Sequence, residues 1–466
     1  MTAQSQNLKS PVYFVSLGCP KNLVDSQVML GMLAKDRYCI TQDPAEAEVI
    51  IVNTCSFVEA SKEESIETIL EMADYKANGQ CKVLVTAGCL PQRYSAQLEK
   101  EMPEVDLFIG TGQYHRITEI LNDRARVRVE GDPLPKRSYV GQPAFIHSEK
   151  DPRVQTGPSY TAFLKISEGC NRRCAFCIIP TLRGNVRSRS IPSLVEEATR
   201  LAQSGVRELS LVAQDLTEYG MEGRYKERLE LLLPELCKIE GLEWIRLHYV
   251  YPDEFSDELI EIFAREPKII KYLDMPIQHT NDRVLKLMNR RLTKKRLFEV
   301  VEKLRARVPE LVLRTSIIVG FPTETDAEFK ELCDDLTTLN MDRVGVFRYS
   351  QEEGTKAAEM SEQVHSATKR KREKKLTQLL QERSLAKQKQ YLGSTLKVLL
   401  EGNSEETDLL LQGRFFGQAQ EIDGHVLIND MGDCDASTLR PGTFVEVEIT
   451  EALPHDLIGR FVRSLS

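Results

Sequence analysis

Short apolar runs separated by polar, helix-compatible stretches recur in two long series, and this alternation confines most of the chain to folds built from βα repeats. In the first series, residues 11 to about 125, the runs are Val12 to Val15, Val49 to Val52, Val83 to Val85 and Leu107 to Ile109. They predict an N-terminal parallel α/β domain. In the second series the strand candidates are Tyr160 to Ile166, Glu208 to Val212, Trp244 to Val250, Tyr272 to Ile277, Leu311 to Val319 and Val344 to Tyr349. Helical stretches such as Ser193 to Gln203, Glu227 to Lys238 and Asp326 to Leu339 separate them. Six repeats predict a central open (β/α)6 barrel, whose chemistry gathers in the loops at the carboxyl ends of the strands.

Between the two series, residues 126 to 158 mix charges with Pro133, Pro135, Pro143, Pro152 and Pro158 and read as a linker. After Gly393 the pattern changes to short strands with Gly-rich turns, Leu396 to Leu400, Leu409 to Gly413, His425 to Ile428 and Phe444 to Ile449, which predict a small all-β barrel. The expected units are therefore 1–155, 156–393 and 394–466 of the 466 residues. No apolar stretch is long enough to span a membrane. The polar stretch Met1 to Ser10 lacks a secretory signal, so a reducing cytoplasm is expected and disulfides are not. The net charge of -8 argues against a protein that coats nucleic acid.

Eleven cysteines in such a chain point to metal or redox chemistry. Cys170, Cys174 and Cys177 have a C-x3-C-x2-C spacing just after the first barrel strand. Three thiolates so close together can hold three irons of a 4Fe-4S cluster and leave the fourth open to S-adenosylmethionine (SAM). Zinc is the alternative, but it prefers four closed ligands and no fourth Cys or His lies nearby in sequence. Cys19, Cys55 and Cys89 each follow one of the first three strands; parallel strands end on one edge, so these thiols can converge on a second cluster. Taken alone, they could equally be small residues of βα turns.

Cys39, Cys81, Cys237, Cys333 and Cys434 show no comparable spacing and read as structural. Of seven histidines, His248 and His279 fall at barrel strand ends, where packing or substrate contact is expected in preference to metal ligation. The run Lys369, Arg370, Lys371, Arg372, Lys374, Lys375 opens a helical pattern ending near Tyr391; it reads as a solvated helix face, with a nucleic-acid patch as the alternative.

Four segments carry a resemblance over nearly the whole chain. Ser16-Leu-Gly-Cys-Pro-Lys-Asn-Leu-Val-Asp-Ser26, Lys165-Ile-Ser-Glu-Gly-Cys-Asn171, Cys177-Ile-Ile-Pro180 with Arg183-Gly184, and Ile318-Val-Gly-Phe-Pro322 resemble the radical-SAM methylthiotransferases. The resemblance implies an N-terminal methylthiotransferase domain, a radical-SAM barrel and a C-terminal TRAM barrel. One branch of that family modifies a tRNA adenosine; the other modifies an aspartate β-carbon of small-subunit ribosomal protein twelve. Cys19-Pro20-Lys21-Asn22, Leu247-His248-Tyr249-Val250-Tyr251-Pro252 and Leu273-Asp-Met-Pro-Ile-Gln-His279 resemble the ribosomal-protein branch. Ile458 departs from it, since that branch often has an aromatic there.

An unactivated C–H bond cannot be usefully deprotonated by a side chain, so a radical is needed. The resemblance implies that the Cys170, Cys174 and Cys177 cluster reduces one SAM to methionine and a 5'-deoxyadenosyl radical. A second SAM would methylate sulfur carried at the Cys19, Cys55 and Cys89 cluster. Implied partners are ribosomal protein twelve, free or on the ribosome, and a low-potential electron donor. Candidate SAM contacts, taken from strand ends and the cysteine motif, are Phe176, Gln214, Asp215, Arg314 and Gly320; Asp274 and Gln278 are further polar candidates.

Two rival functions are a tRNA-adenosine methylthiotransferase and a two-cluster electron carrier. The carrier is disfavoured because ferredoxin-type clusters are closed by four cysteines. The tRNA substrate is disfavoured by charge. From Thr395 to Ser466 five Lys and Arg face thirteen Asp and Glu, so the tail alone accounts for the chain's -8. Such a surface should repel a phosphate backbone and attract a basic protein.

Overall fold

A computed structural model describes residues 9–130, 136–223, 228–404 and 407–465, without side chains for 126–130. Pro133, Pro135, Glu227, Glu405, Glu406 and most of the polar Met1 to Ser10 stretch lie outside the described residues.

The first series folds into one parallel sheet. Its strands are β1 (Ser10–Ser16), β2 (Tyr38–Ile40), β3 (Val49–Thr54), β4 (Val83–Gly88), β5 (Leu107–Gly110) and β6 (Ser138–Tyr139). They lie in the order β2-β1-β3-β4-β5-β6. Every residue of β3 is buried, as expected of a central strand covered on both faces. Val28, Met29 and Leu33 of the helix Pro20–Lys35 pack on one face, and Ile69, Met72 and Leu98 of later helices pack on the other. The very short edge strands β2 and β6 were not anticipated.

The second series begins with β7 (Thr161–Lys165) and a short antiparallel ribbon, β8 (Ser167–Glu168) with β9 (Arg187–Ser188). It continues through β10 (Glu208–Val212), β11 (Trp244–Leu247), β12 (Ile269–Asp274), β13 (Val312–Val319) and β14 (Arg343–Arg348). The six long strands are parallel, in sequence order from β14 back to β7. They are the expected open (β/α)6 arrangement, with Leu164, Leu209, Leu211, Leu247, Leu273 and Leu313 among its core residues.

The helix Ser366–Gln388 packs beside β14 and corrects one expectation. Its basic run is not uniformly solvated. Arg372 is buried and pairs with Glu324 and Asp326 at 2.9 and 2.8 Å, while Lys369 gives its ammonium to the Tyr349 carbonyl. Arg370, Lys371, Lys374 and Lys375 remain exposed. Of the five unassigned thiols, Cys81 and Cys333 are buried, but Cys39 is exposed.

The tail is a closed barrel of β15 (Thr395–Asn403), β16 (Leu411–Phe415), β17 (Val426–Asp430), β18 (Phe444–Ala452) and β19 (Leu457–Ser464), in the order β15-β16-β17-β19-β18. It docks at the amino ends of the central strands, away from the cysteine loops. Leu399, Ala419 and Phe444 pack against Tyr160, Trp244, Ile270 and Val312, with the Trp244 and Phe444 rings edge-on at 4.9 Å.

A buried ionic chain secures this contact. Glu208 accepts from Arg246 and from Arg414 of the tail, each at 2.7 Å, and Arg414 also reaches Glu401 at 2.7 Å. Burial by itself would raise the Glu208 carboxyl, but Arg414 and Arg246 hold it at about 2. Arg414→Met should lower global stability by about 3–5 kcal/mol, because it strands a buried carboxylate with half its partners. The Glu208 contribution is full above its ordinary value of 4.5 and is lost as pH falls toward about 2. Chemical denaturation should therefore find the gap between variant and wild type narrowing across that window.

Candidate active site

β1, β3 and β4 are neighbours in the first sheet, and Cys19, Cys55 and Cys89 stand at their shared carboxyl edge. Pro20 opens the helix directly after Cys19 with its backbone angle preset, so Cys19 is held as the helix N-cap. Cys55 is fixed by Ser65, whose hydroxyl accepts from its N–H at 3.1 Å and donates to its carbonyl at 2.9 Å. Gly18, at φ +89°, lets the first loop close on the second: a Cβ there would stand 2.8 Å from the Cys55 Cβ and 3.2 Å from its sulfur. Cys89 begins the helix Cys89–Glu101 immediately after Gly88, whose φ of +95° makes the strand-to-helix corner.

Arg183 brings positive charge to this group. Its guanidinium donates to the Cys89 sulfur at 3.6 Å and to Asn22 at 3.0 Å. Burial would raise the Cys19 thiol, but the charges of Lys21 and Arg183, with the backbone N–H groups of Asn22 and Lys21, hold it below the ordinary thiol range. The Cys89 thiol is pushed up to about 12 by burial, with Arg183 opposing and the Cys55 and Cys19 thiols adding to the rise. The three sulfurs thus lie within electrostatic reach of one another.

The second group occupies the loop after β8. Cys170 donates its N–H to the Gly184 carbonyl at 3.1 Å, and Ala175 donates to the Met288 carbonyl at 2.9 Å. The Arg172 N–H points at the Cys170 sulfur at 3.4 Å, and Arg290 reaches the Cys174 sulfur at 3.9 Å. Burial raises the Cys170 thiol, and raises Cys177 to about 12. Thiols buried in this way ionise when a metal displaces the proton. Among the described residues, no three His, Cys, Asp or Glu side chains are gathered as ligands of a single metal ion. A cubane has a different requirement, since it takes its thiolates on separate irons. Two sets of three soft donors, each with an Arg beside it, suit such clusters in composition and charge.

The first group touches the segment that carries the second. Cys89 packs against Ile178, which directly follows Cys177, and against Leu182 in the short helix after it. Beneath this contact lies a buried ionic knot across the two units. Asp25 takes Lys165 on one oxygen and Arg183, at 2.5 Å, on the other. Glu168 takes the same two cations at 2.7 and 3.2 Å, and these hold its carboxyl well below the ordinary range in spite of burial.

The candidate SAM contacts each have partners of their own. Gln214 is engaged in holding the cysteine loop: it accepts from the Gly169 N–H at 2.8 Å and donates to Glu168 at 2.7 Å. Asp215 caps the turn at Leu216–Glu218 and pairs with Arg172 at 2.7 Å. Arg314 pairs with Asp274 at 2.8 Å, leaving Asp274 Oδ2 as a buried acceptor with no hydrogen-bond partner among the described residues. Phe176 is half-buried against the cluster of Ala175, Met288, Phe321 and Tyr349. Gly320, at φ +72°, gives its N–H to Glu324 at 2.7 Å. Gln278 pairs with Ile317 as an isolated bridge.

His248 and His279 are buried; burial takes His279 down to about 4, and burial with Arg246 and Arg314 takes His248 well below its ordinary range. Sequence reasoning quoted Lys21, Asp25, Lys165, Glu168 and Arg183 inside motifs without assigning them a part. Their clustering in those motifs was the available signal.

An open six-stranded parallel barrel with three thiols in its first loop defines a radical-SAM enzyme. Residues 164–336 match the Radical SAM superfamily, residues 11–110 match Uncharacterized protein family UPF0004, and residues 392–462 match the TRAM domain. The chain is 51% identical over 451 residues to ribosomal protein uS12 methylthiotransferase RimO of Anaeromyxobacter sp. (strain K), covering 97% of this chain and 93% of that one. It is 49% identical to the protein of that name from Geobacter sulfurreducens, over 98% of this chain and 99% of the relative. At this likeness over full length, the chain belongs to the RimO family of radical-SAM methylthiotransferases. In fold it also resembles the radical SAM methyltransferase TsrM from Kitasatospora setae, with a TM-score of 0.55 at 15% identity over 72% of this chain and 73% of that one.

Arg183→Met leaves Asp25 and Glu168 with Lys165 as their shared cation. It should lower stability by about 3–5 kcal/mol. Hydrogen exchange should rise together at residues 19–26 and 168–184, the two sides that the guanidinium joins.

Proposed function

We propose that this chain is a cytoplasmic enzyme that transfers a methylthio group to an aspartate β-carbon of ribosomal protein uS12. It would use two SAM molecules, two 4Fe-4S clusters and a low-potential electron donor. Cys170, Cys174 and Cys177 would hold one cluster, and Cys19, Cys55 and Cys89 the other. The three working units would be 1–155, 156–393 and 394–466. The observation that carries the reading is that Cys89 of the first three-thiol set packs on Ile178 and Leu182, in the segment that follows the second. Relatives matched over 93% and 99% of their own length and named as uS12 methylthiotransferases support the substrate.

When bound, the clusters would supply the electron that cleaves SAM and the sulfur that is delivered. The protein's own work is placement and charge. Arg183 and Lys21 set positive charge beside Cys19 and Cys89, and Arg290 does so beside Cys174, which suits anionic thiolate sites. Gln214 and Glu168 hold the Gly169–Cys170 corner, and Arg183 ties that corner to the first sheet. Phe176, Arg314, Gly320 and the free Asp274 oxygen are proposed to face SAM or substrate, while Gln214 and Asp215 would act on SAM through the loop they hold.

Cys174→Ala should remove one of two clusters from anaerobically reconstituted protein and abolish 5'-deoxyadenosine formation. Cys55→Ala should keep part of that activity and lose the methylthio product. Mass spectrometry of uS12 and of tRNA, from cells with and without the gene, decides the substrate: the adduct is expected on uS12, and an adduct on tRNA would replace this reading by the other branch.

A further inference from the structure

The cations that hold Asp25 and Glu168 leave a further buried one, Lys21, without a carboxylate of its own. Lys21, the second residue of the helix that starts after Cys19, is 8% exposed. Its ammonium stands 3.7 Å from the centroid of the Tyr249 ring. Among the described residues no carboxylate pairs with it; burial opposes its charge, the Cys19 thiol and the Tyr249 hydroxyl favour it, and Arg183 opposes it. Lys165, Arg172, Arg183 and Arg314, by contrast, each hold at least one carboxylate. The setting worsens the imbalance. The first turn of the Lys21 helix contains no acidic residue, so no carboxylate there offsets the positive end of the helix dipole. A buried ammonium that has a thiol and a phenol beside it but no carboxylate can still take one.

The place where the anion would sit is equally specific. Tyr249 follows β11 at the mouth of the barrel and holds its ring under Lys21 from a left-handed backbone, φ +60°. A bulky side chain rarely adopts that conformation, and such strain collects at ligand sites. Its carbonyl is tied down by the Leu216 N–H at 3.0 Å. Lys21 therefore bridges Cys19, on the sulfur-delivery side, and the barrel mouth.

We propose that Lys21 is the specificity-determining residue that receives the side-chain carboxylate of the substrate aspartate, with the Tyr249 ring as the floor of the subsite. This rests on the ribosomal-protein reading above. The carboxyl carbon is bonded directly to the β-carbon that reacts, so a salt bridge to the carboxylate places the reacting carbon to within one bond. An asparagine or a neutral nucleobase offers no charge to satisfy the ammonium. Discrimination then comes from a buried group left unpaired by the wrong ligand.

The test compares two ligands on one enzyme, so that a folding defect cancels. Reconstituted full-length enzyme is titrated with uS12, and with uS12 whose modified aspartate is changed to asparagine. Wild type should bind the aspartate form at least about tenfold more tightly, as expected for a desolvated charge pair. Lys21→Met, close in shape and uncharged, should bind both forms alike, at the wild-type affinity for the asparagine form. Lys21→Arg should keep most of the preference. A Lys21→Met enzyme that still prefers the aspartate form as strongly as wild type overturns the assignment. If wild type neither binds nor methylthiolates uS12 while modifying tRNA, the ribosomal-protein reading falls and takes this inference with it.

Discussion

The contact between the first sheet and the central barrel depends on two carboxylates sharing two cations. Asp25 comes from the helix that starts at Cys19; Glu168, Lys165 and Arg183 come from the segment that carries the other three cysteines. All four are buried, and neither unit alone could satisfy these charges. Ions taken out of water must be paired in good geometry or they oppose folding. The pairing thus makes the relative position of the two cysteine sets a condition of stability, and greasy contact through Ile178 and Leu182 fills the space around it.

Much of this was legible beforehand because the relevant signals are local. The βα rhythm marked the strands of both parallel sheets to within a few residues, and the shared edge of parallel strands placed Cys19, Cys55 and Cys89 near one another. Strands β2 and β6 escaped because three and two residues are too few to show alternation. β19 escaped because Arg460 and Arg463 on its exposed face mask the apolar partners.

Partnership was much harder to foresee. Gln214 and Asp215 read as free polar groups at a strand end, yet their partners lie on the cysteine loop some 45 residues back, a distance over which spacing carries no information. Arg372 looked solvated in a run of like charges, and the approach of Glu324 and Asp326 explains its burial. Charge counting also misled in part. Glu401, Glu446 and Glu448 of the acidic tail are paired with Arg414, Arg463 and Arg460, so the surplus presented to a partner is smaller than the sequence count. That surplus also lies at the opposite end of the barrel from the thiols, and acts on an approaching protein at long range.

The Glu208–Arg414 pair has a consequence for how the molecule is made. The two residues are 206 positions apart. At a synthesis rate of 5–20 residues per second, Glu208 is made roughly 10 to 40 s before its partner. Until the tail is made, Glu208 has at most Arg246 to answer it, and Trp244 and Tyr160 lack the tail residues Leu399, Ala419 and Phe444. The barrel is therefore a structure finished from behind: its working mouth can be assembled early, but its base waits for the tail to be translated.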